Sequence, residues 1–208
     1  MTADGAADSA AAGGPASEER VVPLLNIANV LTMSRLALVP FFLVALFWGD
    51  GHDVLWRWVA AGVFAVASIT DRIDGDLARR RGLVTDFGKV ADPIADKALT
   101  GSALVGLSLL GDLPWWVTLV IIGRELGVTA LRFWVIRHGV IPASRGGKLK
   151  TLLQAIAIGL YLLPLGDWAE PVRWIVMGAA VLATVVTGID YVVRALRLRA
   201  VGKRARHA

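Results

Sequence analysis

Along the 208-residue chain, apolar residues gather into six long runs separated by short polar connections. The runs fall at 36–48, 54–70, 98–110, 114–136, 151–165 and 172–193. Runs that are apolar all round predict helices enclosed by apolar material on every face. A helix that crosses a bilayer needs about 20 residues, with a range of about 17–25. The first, third and fifth runs are short by that measure. They reach it by continuing into polar flanks, which the membrane tolerates where those flanks face a wet cavity inside the bundle. The expected architecture is an all-α integral membrane protein with six transmembrane helices. Residues 21–35, "VVPLLNIANVLTMSR", predict an amphipathic helix lying on the cytoplasmic surface ahead of the first span.

Composition strengthens this picture. Hydrophobic residues make up 56% of the chain, against about 45–50% in soluble domains, and mean hydropathy is +0.61. Two-sided burial in a soluble bundle would leave too little polar surface. Residues 1–20 are rich in Ala, Gly and acid, lack the pattern of a signal peptide, and predict a disordered tail. A membrane domain over 21–196 and a basic tail over 197–208 complete the expected organisation. The absence of cysteine excludes disulfides, thiolate nucleophiles and Cys-ligated zinc. The three histidines, His52, His138 and His207, are scattered, which disfavours a His-centred site.

The net charge of +5 and a pI near 10.1 fit nucleic acid or anionic lipid. The basic residues flank apolar runs instead of forming a separate patch, so anionic membrane lipid is the expected partner and nucleic acid is not. The connections alternate in sign. "GDGHD" at 49–53, "GDLP" at 111–114 and "GDWAEP" at 166–171 are acidic. The stretch through Arg79–Arg81, "RHGVIPASRGGKLK" at 137–150, and the carboxy-terminal tail are basic. The positive-inside rule then puts both termini and residues 71–97 on the cytoplasmic side of the cell membrane.

Residues 71–97, "DRIDGDLARRRGLVTDFGKVADPIADK", concentrate carboxylates in an otherwise apolar chain. Asp71 and Asp74 are spaced i, i+3, and Asp92 and Asp96 i, i+4, so each pair shares a helical face with Cβ atoms about 5–6 Å apart. One pair ends the second span and the other begins the third, so a hairpin brings them together. Four close carboxylates repel unless cations intervene. All-oxygen ligation favours Mg²⁺, Mn²⁺ or Ca²⁺ over zinc. Two such ions about 3.5–4 Å apart can clamp a diphosphate for in-line displacement. Gly75 and Gly88 leave room for close backbone approach, Ala78 less so, and Arg79 can pair with phosphate. A solvated loop with helix caps is the plainer alternative. It accounts for Asp86 and Asp92 singly but not for two pairs at the ends of consecutive spans.

The string fits Asp-x₂-Asp-Gly-x₂-Ala-Arg-x₈-Gly-x₃-Asp-x₃-Asp at every defined position, through Asp71, Asp74, Gly75, Ala78, Arg79, Gly88, Asp92 and Asp96. It resembles the CDP-alcohol phosphotransferases, integral membrane enzymes in which an alcohol attacks the lipid-side phosphate of a CDP-linked lipid and CMP leaves. The resemblance implies that Asp71, Asp74 and Asp92 ligate Mg²⁺ or Mn²⁺, with two ions expected. Asp96 is implied as a further ligand and as the base that takes the alcohol's proton. Gly75, Ala78, Arg79 and Gly88, with Asp71 and Asp74, are then contacts of the cytidine diphosphate. "NVLTMSR" places Asn29, Thr32 and Arg35 along one helical face and resembles the family's amino-terminal element near the nucleotide. Taken alone, the three also fit ordinary interfacial polar residues and a snorkelling flank. A homodimer is common in the resembling family.

Two features bear on the acceptor. "IIGRELGVTALRFW" sets Arg124, Glu125 and Arg132 inside an apolar run, where charge marks a functional or paired site. Glu125 and Arg132 share a face, whereas Arg124 points elsewhere and needs its own partner, a role an anionic substrate fills. An internal ion pair near the interface is the alternative. "SRGGKLKT" carries Ser144, Arg145, Lys148, Lys150 and Thr151, which also fits a positive-inside loop. Together they resemble the Arg-Glu and Gly-Lys-x-Lys-Thr elements of the phosphatidylglycerophosphate synthase branch. The resemblance implies CDP-diacylglycerol as donor and sn-glycerol 3-phosphate as acceptor, held by Arg124, Lys148, Arg132 and Arg145. Inositol phosphate, or phosphatidylglycerol for cardiolipin synthesis, are rival acceptors. A divalent-cation transporter is a remote alternative, since acids at the ends of two spans do not trace a pathway.

Overall fold

The computed structural model describes residues 27–81, 86–135 and 145–204, with side chains over 30–71, 94–95, 97–131 and 147–197. The expected disordered tail at 1–20 lies outside the described residues. Among the described residues there is no strand. Six helices follow one another: α1 (Ile27–Phe47), α2 (Val54–Arg81), α3 (Asp86–Leu109), α4 (Trp115–Val135), α5 (Arg145–Leu162) and α6 (Glu170–Arg204). Each apolar run lies within or largely within one of them. As the hydropathy pattern requires, the helices continue into polar sequence.

Among the described residues, Val30–Gly51, Val54–Asp71 and Asp167–Arg197 are long and apolar enough to cross a bilayer, and Lys97–Leu109 is a shorter apolar stretch. Large apolar side chains also face outward, Leu55 at 69% exposure and Ile175 at 71% among them. An apolar outer surface of this kind is met by lipid. The chain is a multi-pass membrane protein.

One boundary differs from the sequence expectation. The described part of the expected surface helix belongs to α1, which is continuous from Ile27 to Phe47. Nothing at residues 33–36 breaks a helix, and Arg35 is buried among protein groups instead of reaching an interface. At the other end, α6 runs to Arg204 and includes the first part of the basic tail.

The core joins Phe42 and Leu46 of α1, Phe64 of α2, Leu104 and Leu107 of α3, Ile121 of α4, Ile158 and Leu162 of α5, and Met177 of α6. α1 lies tightly on α3 because Gly106 has no side chain. A Cβ there would stand 2.5 Å from Leu46 Cδ2.

The acidic connections gather at one end of the bundle. Asp53 caps α2 by accepting from the Trp56 amide at 3.0 Å. Gly51, at φ 76°, completes the turn before it in a backbone conformation that favours glycine. Arg57, 5% exposed, fastens this end. It donates to the Gly51 carbonyl, pairs with Asp112, and reaches the Tyr161 carbonyl at 3.4 Å. It thereby ties two connections and the end of α5 to α2. Removing one member of such a buried pair strands the other. Arg57→Met is therefore expected to cost about 3 kcal/mol of stability, read as a lower midpoint of thermal unfolding in detergent.

Candidate active site

At the opposite end, five helices enclose a cavity of about 130 Å³, whose charged and polar groups sit beside apolar side chains such as Leu104 and Ile121. α1 supplies Arg35, α2 Ser68 and Asp71, α3 Lys97 and Thr100, α4 Glu125, and α5 Lys150, Thr151 and Gln154. Charged side chains inside an apolar bundle are costly and are held in pairs. Arg35, 3% exposed, pairs with Asp71, whose side chain is 34% exposed. Lys150 pairs with Glu125. The Arg35–Asp71 pair joins the amino-terminal element to the first residue of the carboxylate string. Thr32, one turn before Arg35, is also buried.

Arg124 finds its partners within the protein. Its Nη1 donates to Glu125 at 3.0 Å, its Nε to the Thr184 carbonyl at 3.2 Å, and its Nη2 to Thr187 Oγ1 at 2.9 Å. The guanidinium carbon also lies 5.7 Å from the centre of the Tyr191 ring. These contacts are of the kind that the internal ion pair kept open by the sequence predicts, with α6 supplying most of them. Lys148 is exposed and does not line the cavity. The side chains of Asn29, Asp74, Ala78, Arg79, Asp92, Asp96, Arg132 and Arg145, together with Gly75 and Gly88, lie outside the described side chains. Their backbone positions are on α1, α2, α3, α4 and α5.

Lys97, Thr100 and Gln154 enter the site without having been singled out by the sequence, and Lys150 enters it although the sequence named it only as part of the basic stretch. For Lys150 and Gln154 a signal exists: they are spaced i, i+4 on one face of α5. Lys148 lies about 200° around the helix from Lys150 and faces away.

A second groove adjoins the first. It holds about 390 Å³ between α2 and α5, is lined by Trp58, Phe64, Ile69, Ile156 and small residues, and shares Ser68 and Ala155 with the first cavity. Trp58, Ile69 and Ile156 are exposed on the bundle surface. An apolar groove open to the lipid-facing side thus lies directly beside the charged cavity.

For metal, only Asp71 of the four string carboxylates has a described side chain. Among the described residues no three acids or histidines come together. The donor chemistry fits a hard divalent cation. Asp71 keeps part of its carboxylate accessible at the cavity wall. Asp74 follows one turn on along α2, and Asp92 and Asp96 lie on α3, which contacts α2.

A charged cavity beside an apolar groove, inside a helical membrane bundle, has the shape and chemistry to take a molecule with a polar head and an apolar tail. The family model for CDP-alcohol phosphatidyltransferases matches residues 25–186, and the chain belongs to that family. A Mycobacterium tuberculosis protein named probable phosphatidylglycerophosphate synthase is 62% identical over 174 residues, covering 84% of this chain and 83% of its own length. The CDP-diacylglycerol--glycerol-3-phosphate 3-phosphatidyltransferase of Bacillus subtilis is 38% identical over 181 residues, or 81% of this chain and 94% of its own. A Shigella flexneri protein of the same name is 36% identical over 173 residues, or 80% and 92%.

Proposed function

We propose that the protein transfers the phosphatidyl group from CDP-diacylglycerol to sn-glycerol 3-phosphate, giving phosphatidylglycerol phosphate and CMP. One observation carries the reading. Asp71, from the carboxylate string, and Lys150, from the glycine-lysine stretch, line the same cavity. A donor site and an acceptor site built on those two elements would adjoin. The names of the relatives point to the same pair of substrates.

The string carboxylates Asp71, Asp74, Asp92 and Asp96 would hold Mg²⁺ or Mn²⁺, which when bound offsets the charge of the diphosphate and polarises the phosphorus under attack. Asp96 takes the proton from the acceptor hydroxyl as its oxygen bonds to the lipid-side phosphorus. The bond from that phosphorus to the CMP oxygen breaks in the same displacement, with no phosphoenzyme. Asn29, Thr32, Gly75, Ala78, Arg79 and Gly88 border the cytidine diphosphate, and Arg35 steadies Asp71. The α2–α5 groove accommodates an acyl chain. Lys150 meets the acceptor's phosphate, and Lys148, Arg132 and Arg145 add positive charge on the approach.

All six helices cross the cell membrane in this reading, with both termini and the cavity on the cytoplasmic side. The distribution of tryptophan supports it. Trp48, Trp58, Trp115, Trp116, Trp168 and Trp174 are exposed near the acidic end, as befits residues at an outer membrane interface.

The purified protein, given CDP-diacylglycerol and one acceptor at a time, tests the choice of acceptor. CMP release is expected with sn-glycerol 3-phosphate. Release with inositol phosphate or phosphatidylglycerol instead would reject it.

A further inference from the structure

We infer that Arg124 is a positioning residue: α6 aims its guanidinium at Glu125, and Glu125 in turn holds the Lys150 ammonium in the cavity. This rests on the reading of Lys150 as a contact of the acceptor's phosphate. Arg124 and Glu125 are neighbours on α4 and leave the helix about 100° apart. Only Glu125 lines the cavity. Arg124 turns to α6, where the Thr184 carbonyl, Thr187 Oγ1 and the Tyr191 ring fix its orientation. Gly188 makes the space, since a Cβ there would stand 3.1 Å from Arg124 Cγ. Thr187 is itself oriented, donating to the Ala183 carbonyl at 2.7 Å.

The chain of contacts ends on one oxygen. Glu125 Oε1 accepts from Arg124 Nη1 and from Lys150 Nζ. The arginine limits the positions that the shared carboxylate can take. A lysine ammonium is a compact charge on a flexible stem. Its value to a phosphate depends on being held where the phosphate arrives. α5 is steadied from the same element, because Gln154 Nε2 donates to Thr184 Oγ1 at 2.8 Å. Thr184, Thr187 and Gly188 therefore govern acceptor binding although none of them lines the cavity.

The test compares Thr187→Val, Thr187→Ser, Gly188→Ala and Lys150→Ala in the full-length protein, with KM for each substrate and kcat measured separately. Thr187→Val keeps the side chain's shape and removes the acceptor of the Arg124 bond. It is expected to raise KM for sn-glycerol 3-phosphate about tenfold, with KM for CDP-diacylglycerol unchanged. Thr187→Ser, which keeps the hydroxyl, restores the wild-type value. Gly188→Ala shifts the arginine stem and moves the acceptor KM in the same direction. Equal changes in both KM values, no change in either, or no rescue by serine overturns the inference. If Lys150→Ala raises the acceptor KM while Thr187→Val does not, the positioning chain falls and the function proposed for the cavity stands. If Lys150→Ala leaves the acceptor KM unchanged, the reading of Lys150 itself falls.

Discussion

Replacing Asp96 with asparagine is expected to lower kcat by about 10²–10⁴-fold, the usual contribution of a positioned proton acceptor. The amide matches the carboxylate in size and can still accept a hydrogen bond. It cannot take up the hydroxyl proton in the displacement. Asp96 lies on α3 one turn beyond Asp92 and just before Lys97, which lines the cavity. Asp71, Asp74 and Asp92 would remain to hold the divalent ions that engage the nucleotide's phosphates, so binding of CDP-diacylglycerol is expected to survive. Single-turnover CMP release measured beside equilibrium binding of the nucleotide lipid checks both halves. Normal turnover by Asp96→Asn would remove this residue from the chemistry.

The second large effect falls on Lys150. Truncating one partner of a buried, hydrogen-bonded charge pair costs several kcal/mol and leaves the other charge unpaired. Lys150→Ala is therefore expected to raise KM for sn-glycerol 3-phosphate about 100-fold. It strands Glu125 near the incoming phosphate as well as removing the cation. Lys148→Ala provides the contrast. That side chain is exposed, and exposed charges contribute little individually, so a change of at most about threefold is expected. A larger effect at Lys148 than at Lys150 would mean that the acceptor binds outside the cavity.

The helices were legible in the hydropathy pattern because long apolar runs between short polar connections leave few other solutions. Helix ends were less legible. The local sequence around Arg35 is equally consistent with a surface helix and with the start of a longer one. Only the ion pair with Asp71, distant in the chain, distinguishes them. The carboxylate string could be found because its spacing matches the helical repeat. The cationic side of the site was harder to read. Lys148 and Lys150 belong to one short basic stretch, and the decision between them depends on the rotation of α5, which packing against α6 sets. The i, i+4 relation of Lys150 to Gln154 carried that information. Arg124 shows the opposite limit. Its neighbours in sequence reveal a charge that needs a partner, and its partners lie on α6 beyond the reach of local pattern.

The account turns on carboxylates that hold divalent ions for attack on a nucleotide-activated lipid. Its most direct test is CMP release by the full-length protein in liposomes containing CDP-diacylglycerol, with sn-glycerol 3-phosphate supplied outside. Release should stop after exhaustive chelation and return with Mg²⁺ or Mn²⁺. Undiminished release from the chelated protein would contradict it.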